Sequence, residues 1–125
     1  MKNLLILTAA LESGAGVALL IAPILVVHLL LGADIPDAAI PLSRVAGAAL
    51  LALGVACWLA RGEVESRAAR GLIGAMVIYN FGAAAALAAA GIQLRITGIV
   101  QWPAVVLHAA MGLWCIALLV GRPGR

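Results

Sequence analysis

Four apolar stretches, each about long enough to cross a bilayer, leave this chain of 125 residues few folds to choose from. A helix needs roughly 20 apolar residues to traverse hydrocarbon at a rise of about 1.5 Å per residue. The stretches run from about Leu4 to Leu31, Ala38 to Ala60, Gly71 to Gly91 and Gly98 to Val120. Only helices and closed barrels satisfy every backbone group in hydrocarbon, and these runs do not alternate as barrel strands would. The expected fold class is therefore all-α: one domain, a bundle of four transmembrane helices in a polytopic integral membrane protein. A composition of 66% hydrophobic and 10% charged residues belongs to a nonaqueous solvent.

The first stretch exceeds the length of a span, so it must tilt or bend. Pro23 supplies the reason for a kink in its outer third, since it lacks a backbone donor and crowds the preceding turn. Glu12 interrupts the early apolar region and the run beyond it is long, so the segment reads as a retained span and not a cleaved leader. Pro41 falls in the first turn of the second span, where it is tolerated. Pro103, early in the fourth, is a candidate kink. In the polar loop 61–70, Glu63 and Arg67 have the spacing of an exposed helical pair.

Basic residues divide unevenly between the two sides. Lys2, Arg61, Arg67, Arg70, Arg122 and Arg125 fall on one side, and Arg95 with the acids Asp34 and Asp37 on the other. The positive-inside rule then places both termini and the middle loop in the cytoplasm, and the protein in the inner membrane of a bacterium. The net charge of +3 thus reports orientation, and no basic patch interleaved with aromatics points to nucleic acid. The bilayer is the expected partner, with a homo-oligomer or a larger membrane complex beside it.

Polar residues at membrane depth are the places to look for function. Glu12 lies roughly 12 Å into its span. A carboxylate there is the usual physical setting for proton coupling or cation capture, and the plainer alternative is a polar clamp, neutral or paired with Arg44. Arg44 enters the second span from the other side, deep enough to need a partner and shallow enough to snorkel. Glu12, Asp34, Asp37 and a lipid phosphate are its candidates. Gln101, His108 and Cys115 recur at heptad spacing on the fourth span with Gly112 on the same face, a stripe expected to face protein or a cavity. His108 is the best candidate for a proton acceptor or ligand contact, and Asn80, Tyr79 or a backbone carbonyl could instead simply hold it. Asn80 sits at mid-depth on the third span, suited to an interhelical hydrogen bond or a ligand. The reading places Glu12, Arg44, Asn80 and His108 in the bundle interior, with Tyr79, Gln101 and Cys115 as secondary candidates.

No cofactor or metal is expected. His28 and His108, at roughly 5 Å and 13 Å below the span end, lie at different levels and do not suit one haem iron. Cys57 and Cys115 read as small packing residues without a Cys-x-x-Cys neighbour. The sequence has no His-Glu-x-x-His cluster, phosphate-cradling glycine loop or nucleophile elbow, and the reading leans away from an enzyme. Gly14, Gly16, Gly47, Gly54, Gly82 and Gly112 should allow close helix approach. Trp58 and Trp102 fit an interfacial belt. The halves also share a faint internal similarity: Glu12-Ser13-Gly14 with Asn80-Phe81-Gly82, and Gly54-Val55-Ala56-Cys57 with Gly112-Leu113-Trp114-Cys115. Any such repeat would be of the parallel kind.

Around Ala10-Leu11-Glu12 the chain resembles the small multidrug resistance transporters, in which an acid at that place exchanges protons for cations. Arg44 and His108 have no counterpart in that pattern, and the aromatic-rich middle spans of that family are missing. Across most of its length, through Pro41-Leu42-Ser43-Arg44-Val45-Ala46-Gly47 and Trp102-Pro103-Ala104-Val105-Val106-Leu107-His108, it is loosely similar to DoxX-like four-helix bacterial membrane proteins. That resemblance implies a fold and a location and no established reaction. Two functions follow as expectations: a module that binds or transports a small lipophilic or cationic ligand with proton coupling, or an accessory subunit of a larger complex.

Overall fold

The computed structural model describes residues 1–121, and they form five helices with no strand among them. α1 spans Lys2–Ile21, α2 Pro23–Leu31, α3 Ala39–Ala60, α4 Arg67–Gln93 and α5 Gln101–Val120. Four of them, α1, α3, α4 and α5, are long and apolar enough to cross a membrane. The short α2 continues the first span beyond a break at Ala22, whose φ of −132° and ψ of 58° leave the helical region. Pro23 is the cause: with no N–H to offer the preceding turn, it fits only as the first residue of a new helix, and α2 begins there. Gly32 ends α2 in the left-handed conformation, φ 66°, with its N–H on the His28 carbonyl at 2.7 Å.

The polar loop is shorter than its composition implies. Ser66 caps α4, its Oγ accepting from the Ala69 N–H at 3.1 Å, so the helix starts at Arg67. Glu63 is left in the turn before the cap, and the expected Glu63–Arg67 pair does not form, because helical spacing does not apply across a helix start. Pro103 does not kink α5. It stands in the first turn, where backbone donors have no intrahelical partner to lose. Arg122 and Arg125, counted above for orientation, lie outside the described residues.

The bundle is two hairpins. α1 packs along α3, and α4 along α5, while contacts between the hairpins are sparse. In the first hairpin the backbones nearly touch. A Cβ on Gly16 would stand 2.6 Å from the Leu51 nitrogen and 2.7 Å from the Gly47 carbonyl oxygen, and one on Gly47 would meet the Gly16 oxygen at 2.8 Å. Gly54 abuts Ser13 in the same way. Hydrocarbon offers no hydrophobic drive between helices, so such close approach is what binds them. Gly14 and Gly82 take no part in it: nothing lies within 4 Å of where their side chains would be.

The four spans meet in one apolar core near the end of the bundle that carries the chain's start. Leu4, Leu5 and Ala9 of α1 join Cys57 of α3, Ile73 and Met76 of α4, and Met111 and Cys115 of α5. At the opposite end the union is backbone to backbone. The Val100 N–H donates to the Leu29 carbonyl at 3.1 Å, Gly98 lies against Leu29, and Gly32 against Thr97. Elsewhere large apolar side chains such as Ile21, Leu42, Ile78 and Val106 are exposed, as suits helices solvated by lipid.

Candidate functional site

Beyond the apolar core, toward mid-span, the interior turns polar. Glu12 stands ten residues into α1, one turn past Thr8 on the inward face, and is only 7% exposed. Its Oε2 accepts a hydrogen bond from the Tyr79 hydroxyl of α4 at 2.9 Å. This hydrogen bond ties α1 of the first hairpin to α4 of the second. Oε1 has no hydrogen-bond partner among the described residues. Among the described residues no fully buried side-chain oxygen or nitrogen lacks a partner, so Oε1 reaches the protein surface.

Tyr79 touches a second polar group with its ring, which meets the His108 imidazole edge-on at a centroid distance of 5.6 Å and an interplanar angle of 83°. His108 Nδ1 lies 3.0 Å from Asn80 Oδ1, and Asn80 Nδ2 donates to the Met76 carbonyl at 2.8 Å. These contacts fix the proton. A carbonyl can only accept, so the Asn80 nitrogen must face Met76 and its oxygen must face the ring. The imidazole therefore carries hydrogen on Nδ1, and when neutral it keeps Nε2 as a free acceptor with no partner among the described residues.

The geometry thus places Glu12, Tyr79, Asn80 and His108 in one polar layer drawn from α1, α4 and α5. Two acceptors in that layer, Glu12 Oε1 and His108 Nε2, are unused, and Tyr79 contacts both residues that bear them. Such a layer can hold a proton at either group or take up a cation at the carboxylate. The inward stripe of α5 is also as the heptad spacing requires: Gln101 and Cys115 are fully buried, and Gly112 is buried.

Other candidates fall elsewhere. Gln101 is a local clamp, its Nε2 donating to the Leu87 carbonyl at 2.7 Å and its Oε1 accepting from the Gly98 N–H at 3.3 Å. Cys115 is packed in the core with Cys57, both as free thiols. Arg44 corrects the sequence reading most. It is exposed, outside the bundle interior, and pairs with neither Glu12 nor Asp34. Depth explains the first absence, since Arg44 enters α3 from the end opposite the one at which α1 starts. His28 explains the second, because its Nδ1 lies 3.5 Å from Asp34 Oδ1. The tyrosine's role as partner to Glu12 was visible in the sequence only as an isolated phenol at the right depth. At the polar loop, the Arg61 guanidinium lies 3.7 Å over the Trp58 ring and donates to the Trp58 carbonyl.

No family model, curated protein or solved structure matches this chain.

Proposed function

We propose that this protein binds or transports a small lipophilic or cationic ligand across a bacterial inner membrane, with Glu12 exchanging a proton for it. The observation that carries the reading is the half-used carboxylate: Oε2 is held by Tyr79 at 2.9 Å while Oε1 has no partner. A purely structural clamp in hydrocarbon gains by using both oxygens, because every unused acceptor forfeits a hydrogen bond. On this reading the incoming cation meets Oε1, the proton leaves Glu12, and the Tyr79 hydroxyl steadies the resulting charge. His108 Nε2 offers a second place for a proton within the same layer. Both termini are cytoplasmic, as the distribution of basic residues favours.

The test uses the purified protein in detergent and tetraphenylphosphonium as the lipophilic cation. Binding should release a proton into weakly buffered solution, and E12Q should bind at least about tenfold more weakly with no release. Equal binding and equal release in E12Q would overturn the reading.

A second reading, an accessory subunit that packs against other helices, draws on a different observation. Gly71, Ala75, Gly82 and Ala85 are small residues exposed down α4 on either side of Ile78, and nothing lies within 4 Å of the missing side chains of Gly71 and Gly82. Such a face suits another helix. Co-purification of a stoichiometric membrane partner, lost in G82I, would favour it.

A further inference from the structure

We infer that the bend at Pro23 opens a binding groove for one phospholipid, whose phosphate pairs with Arg44 and whose acyl chain lies along the bend. This site is separate from the Glu12 layer and does not rest on the reading of it.

The groove follows from two adjacent features of the first hairpin. Up to the level of Gly16 and Gly47 the backbones of α1 and α3 are in contact and leave no space. Six residues past Gly16 the helix breaks at Ala22, and α2 is tied at its far end to the opposite hairpin by Leu29, Gly98 and Val100. Past the break the first span packs far less against α3 than α1 does. The result is an open groove of about 490 Å³ between the bend and α3. Its walls are apolar: Ile21, Ile24, Leu25 and Ile40.

Arg44 lines the same groove. It stands five residues into α3, roughly 7 Å along the helix from its start, within snorkelling reach of the headgroup level. It has no hydrogen bond or ion pair among the described residues. Asp34, the acid on the groove, faces His28 instead, and Asp37 makes no ion pair with Arg44 either. A guanidinium at this depth is costly unless an anion meets it, and its planar fork matches a phosphate. Apolar walls with an unpaired cation at their edge are complementary to an acyl chain ending in a phosphodiester. Free phosphate could satisfy only the cation, and a hydrocarbon only the walls.

Native mass spectrometry of the purified protein, with phosphatidylglycerol or diacylglycerol of the same chains added back, tests the inference. The wild-type chain should retain one phosphatidylglycerol and bind diacylglycerol roughly tenfold more weakly. R44Q should lose that difference, and R44K should keep most of it. L25W, which fills the groove and leaves the charge in place, should displace the lipid while the bundle stays folded. Equal retention of the two lipids by the wild-type chain, or phosphatidylglycerol retention unchanged in both R44Q and L25W, would overturn it. So would a dimer that phosphatidylglycerol does not displace, since the groove would then belong to a second copy.

Discussion

The two hairpins are built on one plan and finished with different chemistry. Leu5, Thr8, Glu12 and Gly16 of α1 occupy the same register as Ile73, Met76, Asn80 and Ala84 of α4, and all eight are buried. Gly54 and Cys57 of α3 answer to Gly112 and Cys115 of α5, again all buried. Even the contacts correspond: Gly54 receives Ser13, and Gly112 receives Phe81, which stands at the matching place in the second half. Burial and contacts thus follow the faint internal similarity in the sequence. Against this common frame the differences stand out. The first hairpin has backbone against backbone, a broken helix and an acid, whereas the second has side chain against glycine, unbroken helices and an amide bonded to a histidine.

The largest expected effect breaks the first hairpin and spares the second. Gly16→Ala places a methyl 2.6 Å from the Leu51 backbone nitrogen, and nothing there can yield without moving a helix. Overpacking of this kind costs about 1–3 kcal/mol, and the upper figure is expected. Gly112→Ala meets the Phe81 ring, at 2.9 Å to Cε2, and a side chain can turn aside. Its cost should sit near the lower figure. Unfolding midpoints of the two variants in one detergent measure the contrast, and equal losses would deny that backbone contact distinguishes the hairpins.

Next comes the chemistry of the second hairpin. Asn80→Ala removes the acceptor of His108 Nδ1 and the donor to Met76 together. The stability loss should be about 1–2 kcal/mol, since hydrogen bonds within membranes are individually modest. The imidazole should also lose its fixed tautomer, which 15N chemical shifts of the ring report. An unchanged ring spectrum would mean that Asn80 does not set the proton's position.

Tyr79→Phe removes the hydrogen bond that α4 makes to Glu12 of the first hairpin, for roughly 0.6–1.5 kcal/mol. Its value lies in a double-mutant cycle with E12A, which leaves the hydroxyl no acceptor. If the hydroxyl acts through Oε2, the two losses should not add. Full additivity would place the role of Tyr79 elsewhere, in its ring against His108.

Much of this frame was legible because membrane helices announce themselves. Apolar runs, Pro23, and the heptad of Gln101, His108 and Cys115 each carry a physical requirement that no partner can relax. Where the sequence misled, the reason was that it records depth and face only along one helix. Arg44 has the depth of an interior residue, but the break at Pro23, the sparse packing of α2 on α3 and the pairing of His28 with Asp34 leave it in an open groove. The Tyr79–Glu12 bond depends on how two hairpins with sparse contacts are set against each other, and no periodicity within α1 or α4 encodes it. Glycines taught the same lesson. Gly14 and Gly16 look alike in the chain, yet one faces open space and the other a backbone nitrogen.

That last contrast supplies the smallest effect and the one that separates the two functional readings. Gly14 and Gly82 hold matching places in the two halves, and both are open. Alanine at either position meets nothing within the bundle and reduces the freedom of the unfolded chain, so each variant should be neutral or stabilised by up to about 1 kcal/mol. A partner helix seated on α4 would change that symmetry. Gly82→Ala would then weaken assembly while Gly14→Ala would not, because the exposed small residues Gly71, Ala75 and Ala85 share the face of Gly82 alone. Measuring the two variants' stability and their oligomeric state side by side therefore decides what the exposed face of α4 is for. Matching, near-zero changes leave it to lipid, and a loss confined to Gly82→Ala assigns it to another helix.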